Sequence, residues 1–376
     1  MTGLTSNNTG GLSGYFRNYA TFDTVIVLLS LRWITGNIFF ALVGVAIFII
    51  YLISNIQLDK KFSRIDIIFI TLFFLIMMLS IYNGQYNNYR SFYYFLVGAI
   101  CFFIGRSLSR NINHALNISF ALIVSYFLLF FAYGLAIGFS PSAMDSFFPN
   151  SSRNGVSAIA LFLQIFYSAS YLMTYGSLPI ITPFITFAIA ILCKGRAGLA
   201  AAGIVLAISM IKAVATDKRR LVLCAGAVVV GMAALYTIPN SLVQEAVEHT
   251  NFYRRGIESI RSEMWAEYLE RINARTFFTG VDLSTVPLIQ SYNLNPHNSF
   301  IRGHSYFGIP YLIMVLVVLA IGARGILNRQ WVLVCFLWIY LFRSAFDIVG
   351  FFDIPDFIMF FIIYSLIYRP HTPQES

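Results

Sequence analysis

Runs of apolar residues separated by short polar turns fill most of this chain. A helix that crosses a bilayer needs about 20 predominantly apolar residues, and the runs supply about twelve candidates. They are Tyr19–Leu31, Ile34–Ser54, Ile65–Tyr82, Ser91–Gly105, Ala115–Gly138, Gly155–Tyr175 and Leu178–Cys193, then Gly198–Val214, Leu221–Ile238, Ser305–Ala323, Trp331–Val349 and Ile354–Tyr368. The first is short and pairs with the second as a bent hairpin around Arg32–Gly36, so eleven crossings is the alternative. Between Ile238 and His304 the pattern changes: this is the one long polar stretch. Within it Ile257, Ile260, Met264, Leu269 and Ile272, joined by Trp265 and Tyr268, recur at helical spacing. Ile257–Asn273 therefore reads as an amphipathic helix with a charged outer face, able to lie on a leaflet or pack on the bundle. Gly280, Pro287 and Pro296 mark the following stretch, Phe277–Asn295, as irregular.

The expectation is an all-α polytopic membrane protein in three segments: membrane helices in 1–238, a polar segment with an amphipathic helix in 239–304, and membrane helices with a tail in 305–376. Charge sets its orientation. Basic residues of short loops favour the cytoplasmic side. With twelve crossings, Lys60–Arg64, Arg106–Arg110, Lys218–Arg220, Arg324–Arg329 and the tail residue Arg369 share one side. The loops Asn83–Arg90 and Phe139–Asn154 and the long segment Pro239–His304 then face outward. The N-terminal Met1–Tyr19 has no compact signal-peptide pattern, so the first apolar helices serve as the insertion signal.

Composition agrees. Of 376 residues 58% are hydrophobic and only 11% charged, against roughly 25% charged in globular chains. The net charge of +9 follows largely from the basic loops rather than from a patch on a soluble fold, so no nucleic-acid partner is expected. Cys101, Cys193, Cys224 and Cys335 lie far apart in apolar runs without metal-site spacing. They read as small buried hydrophobes.

Candidate chemistry collects in SYNLNPHNSFIRGHSYFG, residues Ser291–Gly308, where two of the five histidines, His297 and His304, flank Arg302. A histidine can take a proton from a hydroxyl near neutral pH. His297 follows Pro296, which restricts the backbone before it, and precedes an apolar helix that anchors it. A loop-capping histidine is the plainer alternative. Several arginines belong to outward stretches: Arg153 in PNSSRNG, Arg196 in the short turn CKGRAG beside Lys194, Arg254, Arg255 and Arg261 on or just before the amphipathic helix, and Arg302. Guanidinium groups gathered at one face suit phosphate or pyrophosphate, whose oxygens they bind in bidentate fashion. Arg254, Arg255, Arg271 and Arg275 read as solvated or lipid-surface charges, whereas Arg196 sits at a buried turn where charge is costly unless used. Arg343 and Asp347, four apart in an apolar helix, read as an ion pair. No Walker-type phosphate loop, DxD-like pair, HExxH or Cys/His cluster appears. No metal and no cofactor is therefore expected, and the energy for any chemistry must come from an activated substrate.

On these residues the chain resembles the bacterial O-antigen polymerase and ligase superfamily, the Wzy-type and WaaL-type membrane glycosyltransferases. CKGRAGLAAAGIVLA is similar to its arginine turn leading into a helix, SIRSEMWAEYLERINARTFFTG to its R-x-x-x-W helix, and PHNSFIRGHSYFGIPYLI to its HN signature with the glycine-bearing helix after it. The resemblance implies a GT-C-like architecture and inverting, metal-independent transfer at the periplasmic face of the inner membrane. The donor is a glycan on undecaprenyl pyrophosphate, which joins the lipid bilayer as a partner; a chain-length regulator is a further one. It makes His297 the base that activates the acceptor hydroxyl, with His304 the alternative. Arg196 and Arg261 hold the pyrophosphate, and Arg153, Arg302, His304 and Asn298 line the substrate site. Many ligases of the family carry a histidine two residues before the HN pair, and here Asn295 stands there. Polymerisation of lipid-linked repeats is therefore the first expectation, ligation of finished glycan to lipid A-core the second. A flippase is the third, disfavoured by the long polar segment and by a lack of repeat symmetry between halves.

Overall fold

The computed structural model describes residues 11–35, 37–55, 62–87, 89–149, 152–216, 226 and 260–368. Among them 83% are helical and there is no strand. Leu221–Ile238, Lys218–Arg220, Arg369, and the start of the polar segment with Arg254, Arg255 and Ile257 lie outside the described residues, apart from helical Gly226.

Among the described residues six helices are long and apolar enough to cross a membrane: α3 (Arg64–Gly84), α4 (Arg90–Arg110), α5 (Ile112–Ile137), α7 (Arg153–Tyr175), α9 (Arg196–Thr216) and α13 (Ser299–Leu327). Shorter apolar helices are α2 (Ile38–Asn55), α8 (Ile181–Cys193), α14 (Trp331–Ala345) and α15 (Asp356–Tyr368), and α1 (Gly11–Thr35) precedes them. The short α6 (Pro141–Asp145) and the polar-segment helices α10 (Ile260–Glu270), α11 (Ala274–Thr279) and α12 (Pro287–Ser291) complete the set.

The chain forms two compact units, residues 1–67 with 148–150 and residues 68–147 with 151–376. In the first, α1 and α2 form the expected hairpin. A Cβ on Gly44 would meet Leu28 Cβ at 3.5 Å, a close helix approach, and Phe22 sets its ring edge-on to Tyr51 at 5.0 Å.

The second unit is built around α15. Every residue from Asp356 to Leu366 is buried, which fits a helix that is apolar all round. Phe360 meets Phe69, Phe73 and Phe102, while Phe357 and Phe361 pack edge-on to Phe166. Gly105 of α4 lets the α15 backbone come close: a Cβ there would lie 2.5 Å from Phe357 O. Cys101 and Cys193 are buried free thiols. The described parts of the polar segment, 260–304, belong to this same unit as the helices after it, so compactness does not follow a boundary at His304.

Several boundaries differ from expectation, among them α1, which runs Gly11–Thr35 rather than Tyr19–Leu31, and α4, which runs on to Arg110 rather than ending at Gly105. Two others have a clear local reason. The helix expected from Ser305 begins at Ser299, because Asn298 caps it: its Oδ1 accepts from Phe300 N–H at 2.8 Å and Ile301 N–H at 3.1 Å. It then breaks at Gly308, where φ 57° and ψ −145° suit only glycine. Pro310 follows, and its missing N–H leaves Tyr306 O without its helical partner. Asn83 Nδ2, buried at the end of α3, donates to that carbonyl at 3.0 Å and to Thr279 O at 2.6 Å. The break also admits backbone: a Cβ on Gly308 would strike Phe278 O. The second difference is at α14, which ends at Ala345 rather than Val349. The chain there turns aside to serve another helix, since Asp347 O accepts from Ser299 N–H at 3.1 Å and Ser299 Oγ–H at 2.8 Å.

Candidate functional site

His297 belongs to a tight loop between α12 and α13. Asn293, Leu294 and His297 all have left-handed backbones, with φ 55°, 61° and 50°. Such conformations persist only where neighbours enforce them. Here His297 N–H donates to Asn295 Oδ1 at 2.8 Å, and Trp265 Nε1–H from α10 donates to Pro296 O at 3.0 Å. The R-x-x-x-W spacing now has a physical meaning. Trp265 pins the loop, and Arg261, one turn earlier on the same face, donates from Nη1 to Phe346 O at 2.7 Å.

The His297 ring is half-buried, and neither ring nitrogen hydrogen-bonds a described residue. Burial lowers its pKa from the ordinary value, the Arg261 cation lowers it further, and Asp347 opposes both. His297 is therefore a neutral imidazole at pH 7, poised to accept a proton.

The positive charge around it comes from several elements. Burial lowers the Arg261 pKa; Asp347 opposes this, while the Arg343 and Arg196 cations add to it. Arg196 is the first residue of α9 and follows Lys194, whose φ of 53° turns the chain. That turn presses on the start of α7: a Cβ on Gly195 would lie 2.5 Å from Asn154 Oδ1. Arg343 reaches the same place, its Nη2 donating to Asn154 O at 2.8 Å and pairing with Asp347 Oδ2 at 3.2 Å. The expected ion pair is present. Arg343 Nε is buried without an acceptor among the described residues. Arg153, at the start of α7, stands 4.0 Å from Asp145 Oδ1.

Three expected site residues are buried: Asn298, whose oxygen caps α13, and Arg302 and His304, which turn to the protein interior. Arg302 is 4% exposed. Its Nη2 lies 3.4 Å from both Asp353 Oδ2 and Gly350 O, with the guanidinium 4.5 Å over the Tyr94 ring. It secures the irregular stretch between α14 and α15, where Asp356 accepts from the backbone N–H groups of Phe351, Phe352 and Asp353. His304 is also 4% exposed. Its Nε2 faces Phe277 O at 3.0 Å, and its Nδ1 faces Tyr268 OH at 2.8 Å. A carbonyl can only accept, so the neutral ring carries its proton on Nε2 and Nδ1 accepts from Tyr268. Burial raises the Tyr268 pKa, which keeps that donor protonated.

Apolar and polar patterning gave no hint that Asp347 would face the histidine loop or that Asn154 would receive Arg343. Their contacts join residues far apart in the chain. Among the described residues no three His, Cys, Asp or Glu side chains gather as a metal site would require. No family model, curated protein or solved structure matches the chain. The class defined by fold and composition is a helical membrane protein.

Proposed function

We propose that this protein is a glycosyltransferase of the bacterial inner membrane that polymerises oligosaccharide repeats carried on undecaprenyl pyrophosphate, with about twelve crossings and its active face in the periplasm. The observation that carries this reading is the neutral His297 imidazole, its ring nitrogens unbonded among the described residues, beside Arg261, which itself lies within the field of Arg196 and Arg343. In this reading His297 removes the proton from an acceptor hydroxyl as its oxygen attacks the anomeric carbon. The new C–O bond forms on the face opposite the leaving group. The electron pair of the broken C–O bond goes to the lipid pyrophosphate, whose growing charge the arginines stabilise. Asp347 offsets the charge of the imidazolium. The positive charge is supplied by side chains, and no metal or cofactor has a role.

Polymerase and ligase share this chemistry and differ in acceptor. The test is the size profile of surface and lipid-linked glycan in a strain lacking the protein. Single repeats persisting while long chains vanish from both pools is the expected result. Long chains accumulating on the lipid carrier instead would make the protein a ligase. Unchanged glycan in both pools would end the glycosyltransferase reading.

A further inference from the structure

A polar cleft, about 440 Å³ in volume, opens between the end of α3 with the loop after it, the start of α4, and α11 with its flanking turns. Its size lies in the range of about 300–1,000 Å³ usual for small-ligand sites. Its floor includes Ser305 and Tyr306 of α13. At a rise of about 1.5 Å per residue, Ser305 lies about 9 Å along the helix from Ser299, two residues after His297.

Three arginines line the cleft: Arg90, Arg271 and Arg275. Arg275 Nη2 donates to Tyr82 OH at 2.8 Å. Neither Arg90 nor Arg271 has a carboxylate in ion-pair range among the described residues. The one acidic residue of the lining, Asp282, turns Oδ1 to Ser284 N–H at 2.9 Å. The cleft therefore holds excess positive charge. Tyr82 and Tyr86 stand edge to face at 6.3 Å and are 37% and 54% exposed. Asn87 and Asn273 add amide N–H donors, their oxygens being turned to Ser91 and Thr276 N–H.

Each feature selects a ligand property. Exposed aromatic rings offer apolar faces for the C–H faces of a sugar ring. Amides pair with hydroxyls, and unpaired guanidinium groups bind carboxylate through two parallel hydrogen bonds. A neutral sugar leaves the cations unused. We propose that this cleft binds an acidic oligosaccharide, so that the glycan handled by this protein carries carboxylate-bearing residues. The choice of a glycan rests on the glycosyltransferase reading; the demand for negative charge does not.

The test is direct binding to the purified full-length protein in phosphatidylcholine nanodiscs. Tetragalacturonate is the probe, with its fully methyl-esterified form as the uncharged control. Tetragalacturonate should bind at least tenfold more tightly than the ester. Arg271→Ala and Arg90→Ala should each weaken it by about 10- to 100-fold, the loss expected for a charged hydrogen-bonded contact. Arg271→Lys should recover only part. Both residues are exposed, and a thermal melt checks each variant's fold. Equal binding of acid and ester, or binding unaffected by both alanine variants, would overturn the proposal. So would competition by phosphatidylglycerol nanodiscs strong enough to abolish binding, which would make the cleft a lipid-headgroup site. His297→Ala should leave this binding unchanged, so failure of the catalytic reading is scored by transfer and failure of the cleft by titration.

Discussion

Two histidines seven residues apart in sequence have opposite surroundings. His304 is enclosed, its Nε2 committed to Phe277 O and its Nδ1 to Tyr268 OH. His297 is half-exposed on a left-handed turn, with both ring nitrogens unclaimed and charged groups of both signs nearby. A ring held by two protein partners gains rigidity and loses its capacity to exchange a proton. A ring held only through its backbone keeps that capacity. The loop around His297 is fastened at every point except the imidazole: Asn295 and Trp265 bind its backbone, and Asn298 caps the next helix. Rigid support beneath a free reactive group is what a general base requires.

The sharpest way to break the contrast is to remove each ring. His297→Ala should lower transfer by about 10²–10⁴-fold while the melting temperature stays near wild type; a well-folded variant with full activity would remove His297 from the mechanism. Asp347→Ala comes next. It leaves Arg343 buried without its partner, and breaking a buried pair costs about 3–5 kcal/mol, so the variant should melt early. Arg343→Met combined with Asp347→Leu should recover much of that loss without recovering activity. A double variant as unstable as the single one would show that the pair is not the source.

His304→Ala should cost about 1–3 kcal/mol for each group it strands, Tyr268 OH and Phe277 O. Transfer per folded molecule should remain within a few-fold of wild type. If stability holds and turnover collapses instead, the two histidines exchange roles. The smallest effect concerns pH. A base with a lowered pKa stays neutral to lower pH, so kcat/KM should fall only below the ordinary histidine value of about 6.5. Arg261→Gln removes a cation that lowers that pKa. Its acid limb should move upward in pH, alongside any loss of overall rate; an unmoved limb would mean that Arg261 does not act on the titrating group.

Helix positions were largely readable from apolar periodicity, because a membrane helix satisfies its own backbone and needs little from distant sequence. The spans Arg153–Tyr175 and Arg196–Thr216 begin within two residues of their expected starts. The helix expected from Ser305 carried no warning of the break at Gly308 and Pro310, nor of what fills it. The partner is Asn83, in a stretch read only as a loop boundary. The arginines were legible as a group and not as individuals. Arg302 and Arg261 look alike in sequence, yet Arg302 is buried against Asp353 and Tyr94 while Arg261 stands beside the histidine loop. What separates them is the irregular stretch Phe346–Pro355, whose carbonyls and carboxylates choose their cations after folding. Local pattern carries no record of that choice.

The clasp at the α13 break has a consequence for how the chain matures. Tyr306 and the Asn83 that serves its carbonyl are separated by 223 positions. Synthesis therefore delivers the amide long before its acceptor exists, and until the two meet, the carbonyl that Pro310 left unpaired must find water or remain unsatisfied. Contacts of such separation form late, because closing the loop between them costs entropy before the bond repays it. Asn83→Ala should thus slow maturation as well as weaken the finished fold, leaving newly made chains open to proteolysis for longer.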